Sequence, residues 1–373
     1  MRGVYRPGHS SPRHLGGPLP TNIGYATPNA TTPLAPLEFD RPPVGAEDVL
    51  IDITHCGVCH SDVHQARDEF DGPLATNFPC MPGHEIVGIV AEIGDSVTGF
   101  AVGDRVGVGC LVYWGSDDQR GVDEEQYQQP PAVFTYNAKD PDTGEVTFGG
   151  YSDQIIVNEH FVLRIPESIS SEQAAPILCS GVTTWAPLKH FDVGAGQKVG
   201  VAGIGGLGHI GLQIAVARGA EVVALTTTPE KAELAKQLGA TDAIVMTDDD
   251  AVAAAEGTLD FVLSTIPTAF DMNPYLSLLR HDGRLHSVGM LEPIHEGGID
   301  FGAVSLKRLS LSGSLIGTLA ETQEVLDFCA EHGIAPDVQV IPASGVNDAF
   351  DAMVEGDVRF RYVIDTSTLR DDA

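Results

Sequence analysis

The pattern of hydrophobic and polar residues divides the chain into two regions that predict different kinds of structure. Between residues 21 and 165, short runs rich in Val and Ile are bounded by Gly, Pro and Asp, as in DVLIDIT (48–54), IVGIVAEI (86–93) and GGYSDQIIV (149–157). Runs of this length and composition are typical of β-strands. Because little helical periodicity accompanies them, a partly open β-barrel or sandwich is predicted here.

From about residue 195 onward, short apolar strands alternate with helical runs. The predicted elements are, in order, strand 198–202, helix 209–218, strand 221–225, helix 229–238, strand 243–246, an Ala-rich helix, strand 261–265, helix 271–279 and strand 284–288, followed by a helix at 322–332 and a strand-like tail at 361–364. Strands that alternate with helices indicate parallel βαβ units. The expected fold class is therefore α/β, with a doubly wound parallel sheet.

The chain is strongly acidic. Its 373 residues include 52 Asp and Glu against 21 Lys and Arg, a formal net charge of −31. Such a surface repels nucleic acid and anionic membranes, so neither is expected as a partner. Because molar salt shortens the Debye length to about 3 Å and screens this repulsion, we expect a halophilic enzyme from a salt-accumulating organism. An ordinary acidic cytosolic protein is the alternative.

Cysteine content and hydropathy favour a cytoplasmic location. Six cysteines are scattered over a chain too long to need disulfide staples, which favours reduced thiols. The chain has no run of about 18 apolar residues, so no transmembrane helix is expected. Residues 1–20 are rich in Pro, Gly, His and Arg and lack the apolar core of a secretory signal, so they are interpreted as a flexible leader.

A glycine-rich turn, GIGGLG at 203–208, directly follows a predicted strand and opens a helix. In a dinucleotide-binding turn the first glycine (Gly203) permits a sharp bend, the second (Gly205) lets pyrophosphate approach the backbone, and the third (Gly208) lets helix and strand pack closely. Gly206 and Leu207 belong to the same predicted turn. A glycine loop without a ligand is the alternative, and the βαβ context disfavours it.

The end of the following strand bears on which dinucleotide is bound. NAD sites carry Asp or Glu there, whereas this chain has Thr226, Thr227 and Thr228, with Lys231 shortly after. Hydroxyls and an ammonium accommodate a 2′-phosphate, and the carboxylate that would repel it is missing. NADP(H) is therefore the predicted cofactor. The alternative is that these threonines only end a strand and cap a helix.

Candidate metal ligands occur in three separate motifs: CGVCHSDVH (56–64), GHE (83–85) and LCSGVTTW (178–185). Each alone is weak, because single cysteines are more often packing residues. Together with GDRVGVG, GGYSDQ, GIGGLGH and ETQEVLDFCAEHG, they resemble the motifs of zinc-dependent medium-chain alcohol dehydrogenases. The resemblance runs from about residue 22 to the end, and is strongest to the cinnamyl-alcohol-dehydrogenase branch with its bacterial NADPH-dependent aldehyde reductases.

This resemblance implies a single catalytic zinc. Its ligands carry over to Cys59, His84 and Cys179, with Glu85 as the residue that enters the coordination sphere when water or substrate leaves. Two thiolates, an imidazole and one open position are typical of a catalytic zinc site. Cys56 falls at a position where the family has varied residues, so it is interpreted as a packing residue.

The resemblance also implies a proton relay beside the zinc. Ser61 is similar to the family's first relay hydroxyl and His64 to the group that exchanges protons with solvent, a task that suits a histidine because its pKa lies near neutrality. Asp62 is expected to orient a zinc ligand. Cofactor contacts are implied for the pyrophosphate at His60 and for the nicotinamide at Thr183 and Val288.

The chain departs from the family where a second, structural zinc is often bound by four cysteines. In the corresponding stretch, 110–129, only Cys110 is a cysteine, and the ligand positions align with Gly115, Asp118, Gly121 and Gln129. One zinc per subunit is therefore expected. Acidic side chains in this stretch either bind hydrated cations or are simply solvated: Asp117, Asp118, Asp123, Glu124 and Glu125.

The resemblance finally implies domain organisation and activity. A GroES-like β-barrel catalytic domain is expected at 21–182 and 319–373, and a Rossmann nucleotide-binding domain at 183–318. The expected reaction interconverts small-molecule aldehydes and primary alcohols with NADP(H), in a homodimer that pairs edge strands at 309–316. Two alternatives stay open: an NAD-dependent dehydrogenase of secondary alcohols, polyols or sugars, and a zinc-free, crystallin-like relative that is not an enzyme.

Overall fold

The computed structural model describes residues 22–70, 72–113, 125–127, 133–139, 144–289, 293–356 and 361–371. The predicted leader lies outside them. The strands are β1 Asn22–Ala26, β2 Ala35–Phe39, β3 Asp48–Val58, β4 Ile86–Ile93, β5 Arg105–Val108, β6 Leu111–Tyr113, β7 Val133–Phe134, β8 Gln154–Asn158, β9 Leu163–Arg164, β10 Lys198–Ala202, β11 Glu221–Thr226, β12 Asp242–Val245, β13 Leu259–Ser264, β14 Leu279–Ser287, β15 Ser310–Gly313, β16 Val338–Pro342 and β17 Arg361–Asp365. The α-helices are α1 His60–Ala66, α2 Ser171–Pro176, α3 Val182–His190, α4 Gly208–Ala217, α5 Pro229–Gln237, α6 Asp249–Ala254, α7 Asn273–Leu278, α8 Phe301–Lys307, α9 Leu319–His332 and α10 Val346–Glu355.

The first large sheet has seven strands and is mostly antiparallel. Its order is β16-β17-β3-β4-β5-β9, with β8 pairing the other part of β3. Inward positions of β3, such as Val49, Ile51 and Ile53, are buried and alternate with less buried ones, the pattern of a sheet with one face on the core. Because β17 pairs with β3 in the register Val363↔Gly57, the last strands of the chain lie in this first sheet.

The second large sheet has six parallel strands in the order β12-β11-β10-β13-β14-β15. Its central strand β10 has Val199, Val201 and Ala202 fully buried, as expected when helices cover both faces. The predicted doubly wound α/β region is thus confirmed. The strand order reverses on either side of β10, and ligands bind at such a switch point, outside the carboxyl ends of the strands.

Two predicted elements need correction. The strand predicted at 149–157 covers only Gln154–Asn158, because the N–H groups of Gly149 and Gly150 donate to Met81 O and Gly83 O, 2.9 Å away in each case. The helix predicted at 322–332 begins earlier, at Leu319, because Thr318 and Glu321 form a capping box. Among the described residues, no helix has the length and apolar character needed to cross a membrane.

Candidate active site

The first predicted metal ligand sits where β3 gives way to α1. Cys59 is the N-cap residue of α1, and its backbone N–H donates to Asp62 Oδ2 over 2.9 Å. This contact satisfies a helix-terminal N–H and fixes the backbone that carries the Cys59 thiol. Cys56 lies three residues earlier inside β3, fully buried and outside the metal cluster described below.

The second and third donors precede β4. Gly83 has φ +106°, in the region that favours glycine, and a Cβ there would lie 2.7 Å from Tyr151 Cδ1 and 2.8 Å from Cys56 Sγ. The conformation of Gly83 turns the chain so that His84 and Glu85, both buried, enter the site directly before Ile86. The remaining donor, Cys179, lies in a single π-helical turn, Ile177–Gly181, between α2 and α3.

These segments bring four buried donors together. The ligand atoms of Cys59, His84, Glu85 and Cys179 all lie within 4.8 Å of one another, and His84 Nε2 is 3.3 Å from Cys179 Sγ. A hydrogen bond with Cys179 lowers the pKa of the Cys59 thiol despite its burial, and a lower pKa favours the thiolate form that metals bind. Two thiols, an imidazole and a carboxylate fit zinc.

Asp62 orients the histidine, as expected. Its Oδ1 lies 3.2 Å from His84 Nδ1, which leaves Nε2 for the cluster. The carboxylate is fully buried and also accepts hydrogen bonds from Gly83 N–H at 3.3 Å and from the Tyr151 hydroxyl at 2.9 Å. The ring of Tyr136 stacks on His84, with 5.7 Å between centroids.

Sequence reasoning missed Arg361. This buried residue of β17 forms an ion pair with Glu85 Oε1. Burial raises the pKa of Glu85 to about 7, and the Arg361 guanidinium acts in the opposite direction. The signal in the sequence is a basic residue directly before the apolar run YVI in the tail strand RYVID. Its partner was not predictable, because 276 residues separate the two.

The predicted relay residues lie on α1. Ser61 Oγ is 3.7 Å from Cys59 Sγ, so it lies beside the metal donors. His64 Nδ1 lies 2.6 Å from Glu69 Oε2, a partner the sequence analysis missed. The rings of His60 and His64 are 5.1 Å apart between centroids, and burial followed by the nearby His64 lowers the pKa of His60.

The glycine turn has the geometry expected of a phosphate-binding loop. Gly203 has φ +86°, and a Cβ at Gly208 would lie 1.8 Å from Gly203 O, so both positions require glycine. In contrast, a Cβ at Gly205 meets nothing within 4 Å in the described part of the chain, which leaves its backbone open to a ligand. Gly206 and Leu207 complete the turn before α4.

His209, unassigned from the sequence, stabilises this turn. It is fully buried, and its Nδ1–H donates to Gly205 O over 3.0 Å. Burial lowers the pKa of His209 to about 4, so the ring is neutral at physiological pH. The signal in the sequence is the histidine directly after the glycine turn in GIGGLGH, but using it requires knowing that its ring reaches back to Gly205 O.

The four residues assigned to the cofactor phosphate differ in exposure. Thr226 is buried at the end of β11, and Thr228 is the N-cap of α5, accepting from Lys231 N–H at 3.3 Å. Thr228 thus caps a helix, as expected under the alternative that these threonines only end a strand and cap a helix. Thr227 and Lys231 are exposed. The nicotinamide candidates are Thr183, buried in the first turn of α3, and Val288, whose N–H donates to Ser264 O after β14.

The stretch expected to replace a structural zinc site is described only in part. Gly115, Asp117, Asp118, Gly121, Asp123, Glu124 and Gln129 lie outside the described residues. Glu125 is buried in a short 3₁₀ turn rather than solvated, and Tyr127 Oη accepts from Leu315 N–H at 3.0 Å. Cys110 has a further role missed from the sequence: it lies beside Cys179 and raises the pKa of that thiol through a hydrogen bond.

Comparisons with known protein families place the chain in one class. Residues 45–167 match the alcohol dehydrogenase GroES-like domain, and residues 206–331 match the zinc-binding dehydrogenase domain. The chain therefore belongs to the zinc-binding alcohol dehydrogenase family, and it is an oxidoreductase of alcohols and carbonyl compounds. The family predicted from the motifs, and the GroES-like and Rossmann-type architecture, are confirmed.

Individual relatives narrow the comparison. Aldehyde reductase YahK of Escherichia coli is 45% identical over 344 residues, 92% of this chain and 97% of that protein. The structure of a cinnamyl alcohol dehydrogenase from Sorghum bicolor superposes with a TM-score of 0.88 at 35% identity, covering 93% of this chain and 98% of that one. The structure of CAD from Helicobacter pylori, complexed with NADP(H), superposes with a TM-score of 0.85 at 37% identity, again covering 93% of this chain and 98% of that one.

Proposed function

We propose that this protein interconverts aldehydes and primary alcohols with NADP(H) and one catalytic zinc per subunit. The observation that carries the proposal is the buried cluster of Cys59, His84, Glu85 and Cys179, in a chain whose similar proteins include an aldehyde reductase and an NADP(H)-complexed structure. The cluster also argues against a zinc-free, non-enzymatic relative.

The chain's own residues position the reactants and move the proton. When bound, zinc supplies Lewis-acid polarisation of the substrate oxygen and reduced nicotinamide supplies the hydride. Burial of the donor residues excludes water from this chemistry. The Ser61 hydroxyl would donate a proton to the substrate oxygen during reduction, and His64, held at Nδ1 by Glu69, would take up the replacement proton from solvent.

Selection of NADP(H) is assigned to the loop after β11. Thr227 and Lys231 are exposed there and no carboxylate stands at 226–228, so a 2′-phosphate meets donors and no repelling charge. Introducing that charge by Thr227→Asp is expected to lower the preference for NADPH over NADH by about 10- to 100-fold. The control is Thr241→Asp, at an exposed threonine directly before β12. An unchanged ratio of kcat/KM values removes this loop from selectivity.

The test of the activity is a substrate and cofactor screen with zinc measured in the same sample. Oxidation of NADPH with an aromatic aldehyde, faster than that of NADH, and one zinc per chain are the expected results. Faster NAD-dependent oxidation of a sugar or polyol supports the alternative dehydrogenase. Two tightly bound zincs per chain would contradict the assignment of stretch 110–129.

Three further properties form part of the proposal. The net charge of −31 supports a halophilic protein, which should lose structure as salt is lowered from about 1 M to about 0.1 M; full stability in dilute buffer contradicts this. Free thiols at all six cysteines fit a reducing cytoplasm. Strand β15 has β14 as its one strand neighbour among the described residues, so its other edge suits a homodimer, which scattering at high salt can test.

A further inference from the structure

The most connected buried polar group outside the metal donors is the Asp62 carboxylate. It accepts hydrogen bonds on both oxygens: Cys59 N–H and Tyr151 O–H donate to Oδ2, and Gly83 N–H and His84 Nδ1–H donate to Oδ1. The Tyr136 side chain also hydrogen-bonds to this carboxylate. Two donors on one oxygen and two on the other fix the rotation of the carboxylate. Its orientation in turn decides where the His84 ring points.

Of these donors, two are backbone groups and one is the metal ligand itself. Tyr136 also hydrogen-bonds to Asp62, and the Tyr151 hydroxyl is the side-chain donor that contacts Asp62 Oδ2 over 2.9 Å. Burial raises the pKa of this phenol well above its usual value, so the hydroxyl keeps its proton and donates at every working pH. It also lies 89 residues from Asp62 in sequence, which explains why no local pattern indicated it.

Tyr151 is itself held rigidly against the loop that carries His84. Its side chain is fully buried, its N–H donates to Pro82 O at 3.0 Å, and its carbonyl accepts from Tyr25 N–H at 2.7 Å. Its ring lies against Gly83, where a Cβ would approach to 2.7 Å. Ring packing and backbone hydrogen bonds thus hold Tyr151 in place, and its hydroxyl lies within hydrogen-bond distance of Asp62.

We propose that Tyr151 is a positioning residue for the metal site, whose hydroxyl fixes Asp62 so that Asp62 holds His84 in the orientation that retains zinc. This inference rests on the proposed zinc site. Tyr151→Phe is a clean test, because it keeps the ring and both backbone contacts and removes one hydrogen bond. The matched control is Tyr275→Phe, at a buried tyrosine in helix α7, which belongs to the region of the parallel sheet.

The measurement is the rate of zinc release from the holoenzyme to the chelator 4-(2-pyridylazo)resorcinol. Tyr151→Phe is expected to release zinc about 10-fold faster than wild type, while Tyr275→Phe stays within about twofold. One zinc per chain in wild type establishes the site separately, so failure of the zinc proposal and failure of this inference are distinguishable. A Tyr151→Phe rate within twofold of wild type would overturn the inference.

A double-mutant cycle then distinguishes positioning from a purely structural effect. In an Asp62→Asn background Tyr151→Phe should change zinc release by less than about twofold, because its effect passes through the carboxylate. The same 10-fold change in both backgrounds shows that Tyr151 acts independently of Asp62 and overturns the proposal. If Asp62→Asn retains no zinc, the cycle is replaced by a comparison of the cobalt-substituted wild-type and Tyr151→Phe enzymes. The His84 Nδ1 proton should exchange with solvent faster in Tyr151→Phe than in wild type. An unchanged exchange rate contradicts the inference.

Discussion

The nucleotide turn and the metal cluster are built in different ways. The turn is a continuous stretch, 203–208, in which the glycines satisfy constraints set by their immediate neighbours, such as the approach of Gly208 to Gly203 O. The metal donors come from the start of α1, the loop before β4 and a π-helical turn, with Glu85 held by Arg361 from the last strand. A substitution in the contiguous turn should affect nucleotide binding alone, whereas the dispersed metal site depends on the packing of several segments.

The largest effect is expected from removing a dispersed donor. Cys179→Ser should lower the zinc content from about one to near zero and turnover by at least about 10³-fold, because several kcal/mol of Lewis-acid stabilisation is lost. NADPH binding, followed by fluorescence titration, should persist because the turn is a separate structure.

The control for this variant is Cys56→Ala, at a buried cysteine that packs against Gly83 and Gly150. It should cost about 1 kcal/mol of stability and leave zinc in place. Loss of zinc in Cys56→Ala at unchanged fold would instead make Cys56 a ligand.

The next effect concerns Ser61, which lies beside the metal donors with its Oγ 3.7 Å from Cys59 Sγ. Ser61→Ala should reduce turnover by about 10²-fold, since it removes the hydroxyl that carries the proton. Zinc content and NADPH affinity should remain at wild-type values, because Ser61 is neither a metal donor nor part of the glycine turn. Steady-state kinetics with zinc analysis provide the measurement, and near-normal turnover would remove Ser61 from the mechanism.

A smaller effect is expected from breaking the contiguous site. Gly208→Ala places a methyl group 1.8 Å from Gly203 O, so the turn must move, and NADPH affinity should fall by about 10- to 100-fold. Zinc content should not change.

Gly205→Ala is the matched variant, because its Cβ has open space and the unfolding temperature should stay constant. It should weaken NADPH binding only through the approach of the pyrophosphate. Zinc loss in Gly208→Ala would show that the turn is coupled to the metal cluster.

The smallest effect tests the acid sensitivity of the nucleotide-binding sheet. His286 is buried, and its ring nitrogens lie 2.9 Å from Ser312 Oγ and 2.9 Å from Ser314 Oγ. Burial, then Arg284 and His190, lower its pKa to about 4. The unfolded state, with a pKa of about 6.5, therefore binds more protons between these values, and the free energy of unfolding falls as pH drops from about 6.5 to about 4.

His286→Asn should flatten this part of the pH dependence while lowering stability at neutral pH. Unfolding midpoints of both proteins, measured across this range at fixed salt and with zinc content recorded, provide the test. Parallel curves would assign the acid sensitivity to other groups.

Local patterns predicted the parts of the molecule that depend on near neighbours. The βαβ alternation, the turn at 203–208 and the clustering of Cys59 with the GHE motif were accessible from sequence, the last through family resemblance. The strand at 149–157 was overpredicted because GGYSD directly precedes the apolar run QIIV, yet the N–H groups of Gly149 and Gly150 bond to the loop at 81–83.

What the sequence determined by itself is the glycine turn and the alternation that builds the parallel sheet, since each follows from residue type and short-range spacing, while resemblance to a known family implied the set of metal donors. Only the tertiary structure decided which distant groups meet: Arg361 with Glu85, and Tyr151 with Asp62. Such pairs form because packing of separate segments buries polar atoms, and a buried polar atom requires a hydrogen-bond partner. The fold decides which group lies close enough to be that partner.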